Sequence, residues 1–423
     1  MNRTSLKISA IIILLSSLSS MHVVAQKIIR PEYLKPKVNQ FIQSKLAEAK
    51  ILVDQNSSIT KPAFKKLIDL ADETLTKETY YSVVDKRFIP PGGDKNDYMS
   101  LGPYWWPNPD TEDGLPYVRK DGRVNPERNE YDRRPLWLME NNINTLALAY
   151  YFTKKDRYAE RVAKLVKHWF LNPETKMNPH FRYAQSIPGK TEGRGIGIID
   201  ARDFLKVSEA VKIIEGTKHW TKENNDALIN WFSVFLNWLL TSKNGADESD
   251  KENNHGTWFD VIATQIALFA GDEERAKSLL NKVPSKRIDT QIEPNGTQPH
   301  ELNRTRSFHY CTMNLHAFFN LALLGEKVGI DLWNYESSDG RSIKAALDYL
   351  VPFTLQKKEW EYSKLLGWEE DLYMMYYLLR VASEKYSNPH YEKVLRSITE
   401  IENEKNIVEL IYPSTKSNLE NIR

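Results

Sequence analysis

Cysteine is almost absent: Cys311 is the only one in the 423-residue chain. No intramolecular disulfide can therefore cross-link the fold, and clustered thiolate metal sites are excluded. Long apolar runs are equally scarce. One, around Ile11 to Leu18, follows Arg3 and Lys7 and leads into Val23-Val24-Ala25. It is too short to span a bilayer and has the layout of a secretory signal, so cleavage after Ala25 is expected, with residues 26–423 as the mature chain. No cysteine stands directly after that run, so no lipid anchor is expected, and the expected destination is the periplasm or the medium. No later stretch reads as a membrane helix. Net charge is missing as well, because Arg3 and Lys7 account for the whole formal +2. With no basic run or stripe, nucleic acid is disfavoured, and any polyanion must be held by a local cluster of cations. No complete Gly-x4-Gly-Lys-Ser/Thr phosphate loop and no HExxH or Cys/His pattern appears, so no metal and no cofactor are expected.

Alternating strands are scarce too; what is present is helical periodicity. Apolar residues recur at helical spacing over Leu136 to Phe152, Tyr158 to Phe170, Ile199 to Ile214 and Lys222 to Leu240. The same pattern predicts helices over Trp258 to Ala270, Glu273 to Leu280, Ser307 to Leu324, Ile343 to Leu350, Leu365 to Ser383 and Tyr391 to Ile401. Turn signals such as Asn172-Pro173, Asn244-Gly245, Gly271-Asp272 and Asn388-Pro389 keep the connections short. Paired helices with short links suggest an all-α fold closed into an (α/α) toroid, or incomplete α/α barrel. No linker-like shift in composition divides the chain, so one toroid domain and a monomer are expected. Three irregular stretches break the pattern: Asp85 to Arg134, Asn178 to Gly197 and Pro284 to Arg306. Loops of that length inside a compact domain are usually lids or binding loops, here the walls of a substrate cleft.

Four constellations in or beside these stretches can carry chemistry. Asn253-Asn254-His255 stands where a helix should start, so it reads either as a cap or as an anion clamp at the positive helix end. Glu301-Leu-Asn-Arg304-Thr-Arg306-Ser-Phe-His309-Tyr310 puts cations beside a phenol, and a cation favours the phenolate. Leu101-Gly-Pro-Tyr104-Trp105-Trp106-Pro offers aromatic faces that can stack on sugar rings or merely pin a loop. Gln185 and Arg194 flank a glycine-rich loop in which the guanidinium can fork onto a carboxylate or clasp the loop. Cys311 reads as a small core residue, and Glu369-Glu370-Asp371 as the solvated, dipole-complementing start of a helix.

The order of Asn-Asn-His-Gly-Thr-Trp-Phe-Asp, then Glu-Leu-x-Arg-Thr-x-Ser-x-x-Tyr, with Tyr98-Met-Ser-Leu-Gly-Pro-Tyr-Trp-Trp-Pro upstream, resembles the alginate-lyase group of polysaccharide lyases, most of all polysaccharide lyase family 38. The resemblance covers about Asp85 to Trp333. It implies an (α/α) toroid that cleaves polyuronates by β-elimination without a metal. It also implies that Asn254, His255 and Arg304 bind the uronate carboxylate and that Tyr310 is the catalytic tyrosine. Arg306 is the alternative arginine, since a related family spaces its Arg and Tyr differently. Tyr104, Trp105, Trp106, Gln185, Arg194 and Arg306 are expected to contact an anionic polysaccharide. Two other classes stay in play: a toroid glycoside hydrolase, which needs two carboxylates astride the bond, and an exported glycan-binding protein with no activity.

Overall fold

The computed structural model describes residues 37–39, 41–355, 358–363, 369–398 and 407–413. The expected signal peptide lies outside them.

Helices dominate. In chain order they are α1 (Gln43–Asp54), α2 (Lys61–Thr76), α3 (Arg133–Thr153), α4 (Asp156–Phe170), α5 (Phe204–Ile214), α6 (Lys222–Thr241) and α7 (Lys243–Ser249). Beyond these run α8 (Asn254–Phe269), α9 (Glu273–Leu280), α10 (Ser307–Lys327), α11 (Ile343–Thr354), α12 (Glu369–Lys385), α13 (Pro389–Leu395) and α14 (Ile407–Ile411). The apolar spacing that predicts α4 is the spacing that packs. Tyr158, Val162, Leu165, Val166 and Trp169 are all buried, while Asp156 in its first turn and Lys167 and His168 in its last oppose the helix dipole. Helices α8 and α10 bury almost every side and form the centre. Around them, α3 packs on α4 and α5, α8 on α9 and α10, and α10 on α12. The short C-terminal α14 packs against α1 and α2, so the two ends of the helical array meet and close the toroid.

Several boundaries differ from expectation, two of them beside the cleft. Residues Gly195–Asp203 form a 3-10 segment ahead of α5, where one continuous helix was expected from Ile199. Its glycines explain the change: a Cβ on Gly197 would lie 2.5 Å from the Ala184 backbone, so this segment is pressed too tightly on the neighbouring strand to carry side chains there. The second difference is at α8, which begins at Asn254 and not Trp258.

The three irregular stretches gather on one side. Strand β1 (Met99–Leu101) pairs in parallel with β4 (Tyr183–Ser186), and β2 (Trp105–Trp106) pairs antiparallel with β3 (Val118–Arg119). The first ladder ties the Asn178 to Gly197 loop to the Asp85 to Arg134 loop, and the second folds the latter back on itself. Its root is held by a buried ion pair, Lys86 Nζ to Asp132 Oδ2 at 3.3 Å, just before α3.

Candidate active site

The start of α8 is shaped by Arg287, a fully buried guanidinium. It donates to both Asp260 oxygens and to the carbonyls of Lys251 and Ser249, drawing the chain before the helix against its first turns. Asn253 is the cap: its side chain accepts from the His255 amide at 3.1 Å. Asn254 and His255 are therefore the first two helical residues, so cap and clamp are adjacent residues and the two readings hold together.

Each is anchored by a buried carboxylate. Glu301 accepts from the Asn254 backbone N–H at 2.6 Å and from its Nδ2 at 2.9 and 3.0 Å. Asn254 Oδ1 is left buried without a partner. His255 Nδ1 donates to Glu248 at 2.8 Å, which fixes the tautomer and leaves Nε2 open. Burial pushes the Glu301 carboxyl above its ordinary range, with the Asn254 bonds pulling the other way.

Helix α10 supplies the phenol. Its cap residue Arg306 takes the Tyr310 amide on its carbonyl. Arg304, one residue pair earlier, lays its guanidinium on the Tyr310 ring, 3.8 Å from the centroid. Arg304 also donates to Asp121 at 3.2 Å, a carboxylate that Thr305 (2.9 Å) and Arg119 (2.7 Å) share. Burial raises Asp121, but these donors outweigh it and hold the carboxyl below its usual range. Tyr104 reaches across from the first loop, its hydroxyl 2.6 Å from that of Tyr310. The expectation that a cation lowers the Tyr310 pKa needs correction. Burial pushes the phenol well up and the Tyr104 hydroxyl adds to it; Arg304 opposes the shift without reversing it.

These residues open onto one cleft of about 490 Å³, lined by Tyr104, Trp105, Gln185, Asn254, His255, Arg304, Arg306, His309 and Tyr310 among others. Arg119, Arg128, Arg133, Arg194, Arg202 and Lys251 join Arg304 and Arg306 on its walls, against the single carboxylate of Asp200 among the described residues. The local cationic cluster that the neutral chain requires is here. Arg194 donates to the Gln185 carbonyl and Oε1 at 2.9 and 3.0 Å, so Gln185 clasps the arginine. Gln185 itself sits at φ 49°, a left-handed conformation that the two bonds help to hold. Burial lowers Arg194 to about 10, and among the described residues it has no ion-pair partner. Trp105 stacks near Lys190 and Arg194. Trp106 is not on the cleft lining; its indole N–H is tied to the Arg123 carbonyl and its ring faces Lys120.

Sequence reasoning gives no role to the carboxylates behind the site: Glu301, although it opens the Arg304 to Tyr310 motif, and Glu248 and Asp121. It also misses His309, whose Nδ1 donates to Asp371 at 2.8 Å. Asp371 was expected on a solvated face and is buried instead. Cys311 is buried in the core, as expected. Among the described residues no group of three or more His, Cys, Asp and Glu is placed to hold a metal, and no helix is long and apolar enough to cross a membrane.

A helical toroid whose cleft joins an amide, an imidazole, a guanidinium and a phenol defines a polysaccharide lyase. More narrowly, the chain belongs to the alginate lyase family, whose model matches residues 82–360. It is similar to a crystal structure of an alginate lyase from Bacteroides ovatus, at 38% identity and a TM-score of 0.86, over 90% of this chain and 100% of that one. A variant of alginate lyase A1-III complexed with a tetrasaccharide shares the fold at 17% identity and a TM-score of 0.51, over 83% of this chain and 94% of that one. Among curated proteins none matches.

Proposed function

We propose that this lyase, exported and acting as a monomer in the manner of polysaccharide lyase family 38, cleaves 4-linked polyuronates such as alginate by β-elimination. The observation that carries the reading is the Tyr310 phenol under Arg304, in one cationic cleft with the anchored His255. Elimination removes the hydrogen on C5, beside a carboxylate that resists the extra negative charge. Cationic and amide groups on that carboxylate offset the charge where it develops.

Proton placement follows from the hydrogen bonds. His255 has Nδ1–H committed to Glu248, so Nε2 is the open lone pair that takes the C5 hydrogen. Tyr310 is held protonated by its burial, the state needed to give a proton to O4 of the departing sugar. That division suits guluronate, in which the hydrogen and O4 lie on opposite faces. For mannuronate or glucuronate, with both on one face, the phenol would first have to ionise against its surroundings. A glycoside hydrolase is disfavoured because, among the described residues, the one carboxylate lining the cleft is Asp200, and it is occupied by Tyr98 (3.0 Å) and Ser100 (2.6 Å).

Tyr310→Phe tests the reading. It should fold, yet lose at least about a hundredfold in the ultraviolet signal of the unsaturated product, the scale of acid–base catalysis. Near-normal turnover in that variant would remove Tyr310 from the chemistry. No such signal from the native protein on any alginate block or glucuronan would remove the lyase reading for this substrate class.

A further inference from the structure

The cleft contains a second anchored imidazole that the elimination does not use. His309 lines the same cleft as His255, with 31% of its side chain exposed. Its Nδ1 donates to Asp371 Oδ1 at 2.8 Å, as His255 does to Glu248 at the same distance. Asp371 comes from α12, a different helix, and its side chain is 5% exposed. Burying a carboxylate is unfavourable unless a donor meets it, and here that donor is the cleft imidazole. The bond fixes the ring orientation and leaves Nε2, on a ring that lines the cleft, able to pair with a sugar hydroxyl or carboxylate.

His309 precedes Tyr310 on α10, and successive helical residues point about 100° apart. Their rings meet edge to face with centroids 5.6 Å apart, a separation on the scale of one pyranose ring. A sugar that presents C5 and O4 to Tyr310 therefore leaves His309 within reach of the next sugar along the chain. From this the geometry points to His309, oriented by Asp371, as the recognition group for the uronic acid residue adjoining the one that is cleaved. His309 is a specificity-determining residue in this assignment, and Asp371 is its positioning residue. The assignment rests on the polyuronate reading given above.

The test uses purified full-length protein and a ladder of alginate oligosaccharides of increasing length, comparing native protein, His309→Gln, Asp371→Asn and the double variant. In His309→Gln the loss of kcat/KM should grow with chain length. It should reach about tenfold on oligomers long enough to fill both positions, the scale of one hydrogen bond, and should be carried by KM. Asp371→Asn should show the same length dependence more weakly, and the double variant should be no worse than His309→Gln, because both act through one imidazole. Equal loss at every length, a loss carried by kcat alone, or an unchanged ladder would each overturn the assignment. A native protein that yields no unsaturated product from any polyuronate would instead remove the underlying reading, so the two failures are told apart.

Discussion

At the scale of single residues, type and order make Asn254, His255, Arg304 and Tyr310 visible in the sequence, while their partners are not. Glu301 lies 47 positions from the asparagine it holds, and Asp121 183 positions from Arg304. Nothing local marks such carboxylates, because a helix-rich sequence has many and only folding selects which are buried. The same limit explains the phenol. Sequence shows the adjacent arginine but not the burial, and burial is the larger influence. The three bonds from Glu301 make a sharp prediction. Glu301→Gln offers an amide N–H where Asn254 needs an acceptor, so the asparagine should lose its orientation. Hydrogen bonds to a charged group contribute about 1.5–3 kcal/mol, so kcat/KM should fall about 10–100-fold. Steady-state kinetics with a melting curve would check this; a variant of native activity would show that Asn254 needs no such support.

At the scale of elements, periodicity locates helices and blurs their ends. Helix α8 starts four residues before its apolar pattern because Asn253 caps it and Arg287 binds the preceding carbonyls, neither of which is a periodic signal. Helix α2 lies outside the expected set although its apolar residues recur at helical spacing: Ala63, Leu67 and Ala71 are buried, and Phe64, Ile68 and Leu75 pack beside them against the core. The long loop was legible as a loop but its fastening was not. Asp132 Oδ2 accepts from the Met99 amide at 2.8 Å and from Lys86, which also donates to the Val83 and Lys95 carbonyls. Burial pushes Asp132 up to about 7 from an ordinary 3.8, against the pull of Lys86. Its folded pKa lies above the unfolded one, so the stabilisation is complete below about pH 4 and fades as pH rises through about 7. The Tm should accordingly carry a component that declines across that window, and Asp132→Asn should remove it. Melting curves across the window decide the matter: parallel slopes for the two proteins would rule out this group as the source.

At the scale of the whole molecule, a chain with balanced charge concentrates, among the described residues, eight cations and one carboxylate on the walls of one cleft. The sequence could say only that such a cluster had to be local, since its members come from positions as far apart as Arg119 and Arg306 and converge only when the toroid closes. Several are already answered: Arg133 by Glu140 and Asp203, and Arg304 and Arg119 by Asp121. Arg128, Arg194 and Lys251 have no ion-pair partner among the described residues, so their field is what an incoming polyanion meets. Such a field is screened over about 10 Å at ~0.1 M salt, whereas helix packing, which is apolar, is not. Raising sodium chloride from ~0.05 to ~0.5 M should therefore raise KM for a long polyuronate several-fold and leave kcat and Tm nearly unchanged. Arg194→Gln should flatten that salt dependence, because burial of Arg194 leaves its charge poorly screened by solvent and its loss removes that charge from the cleft. Initial rates across a salt series would check both statements, and a KM indifferent to salt would mean that the cleft cations serve one another's carboxylates and not the substrate.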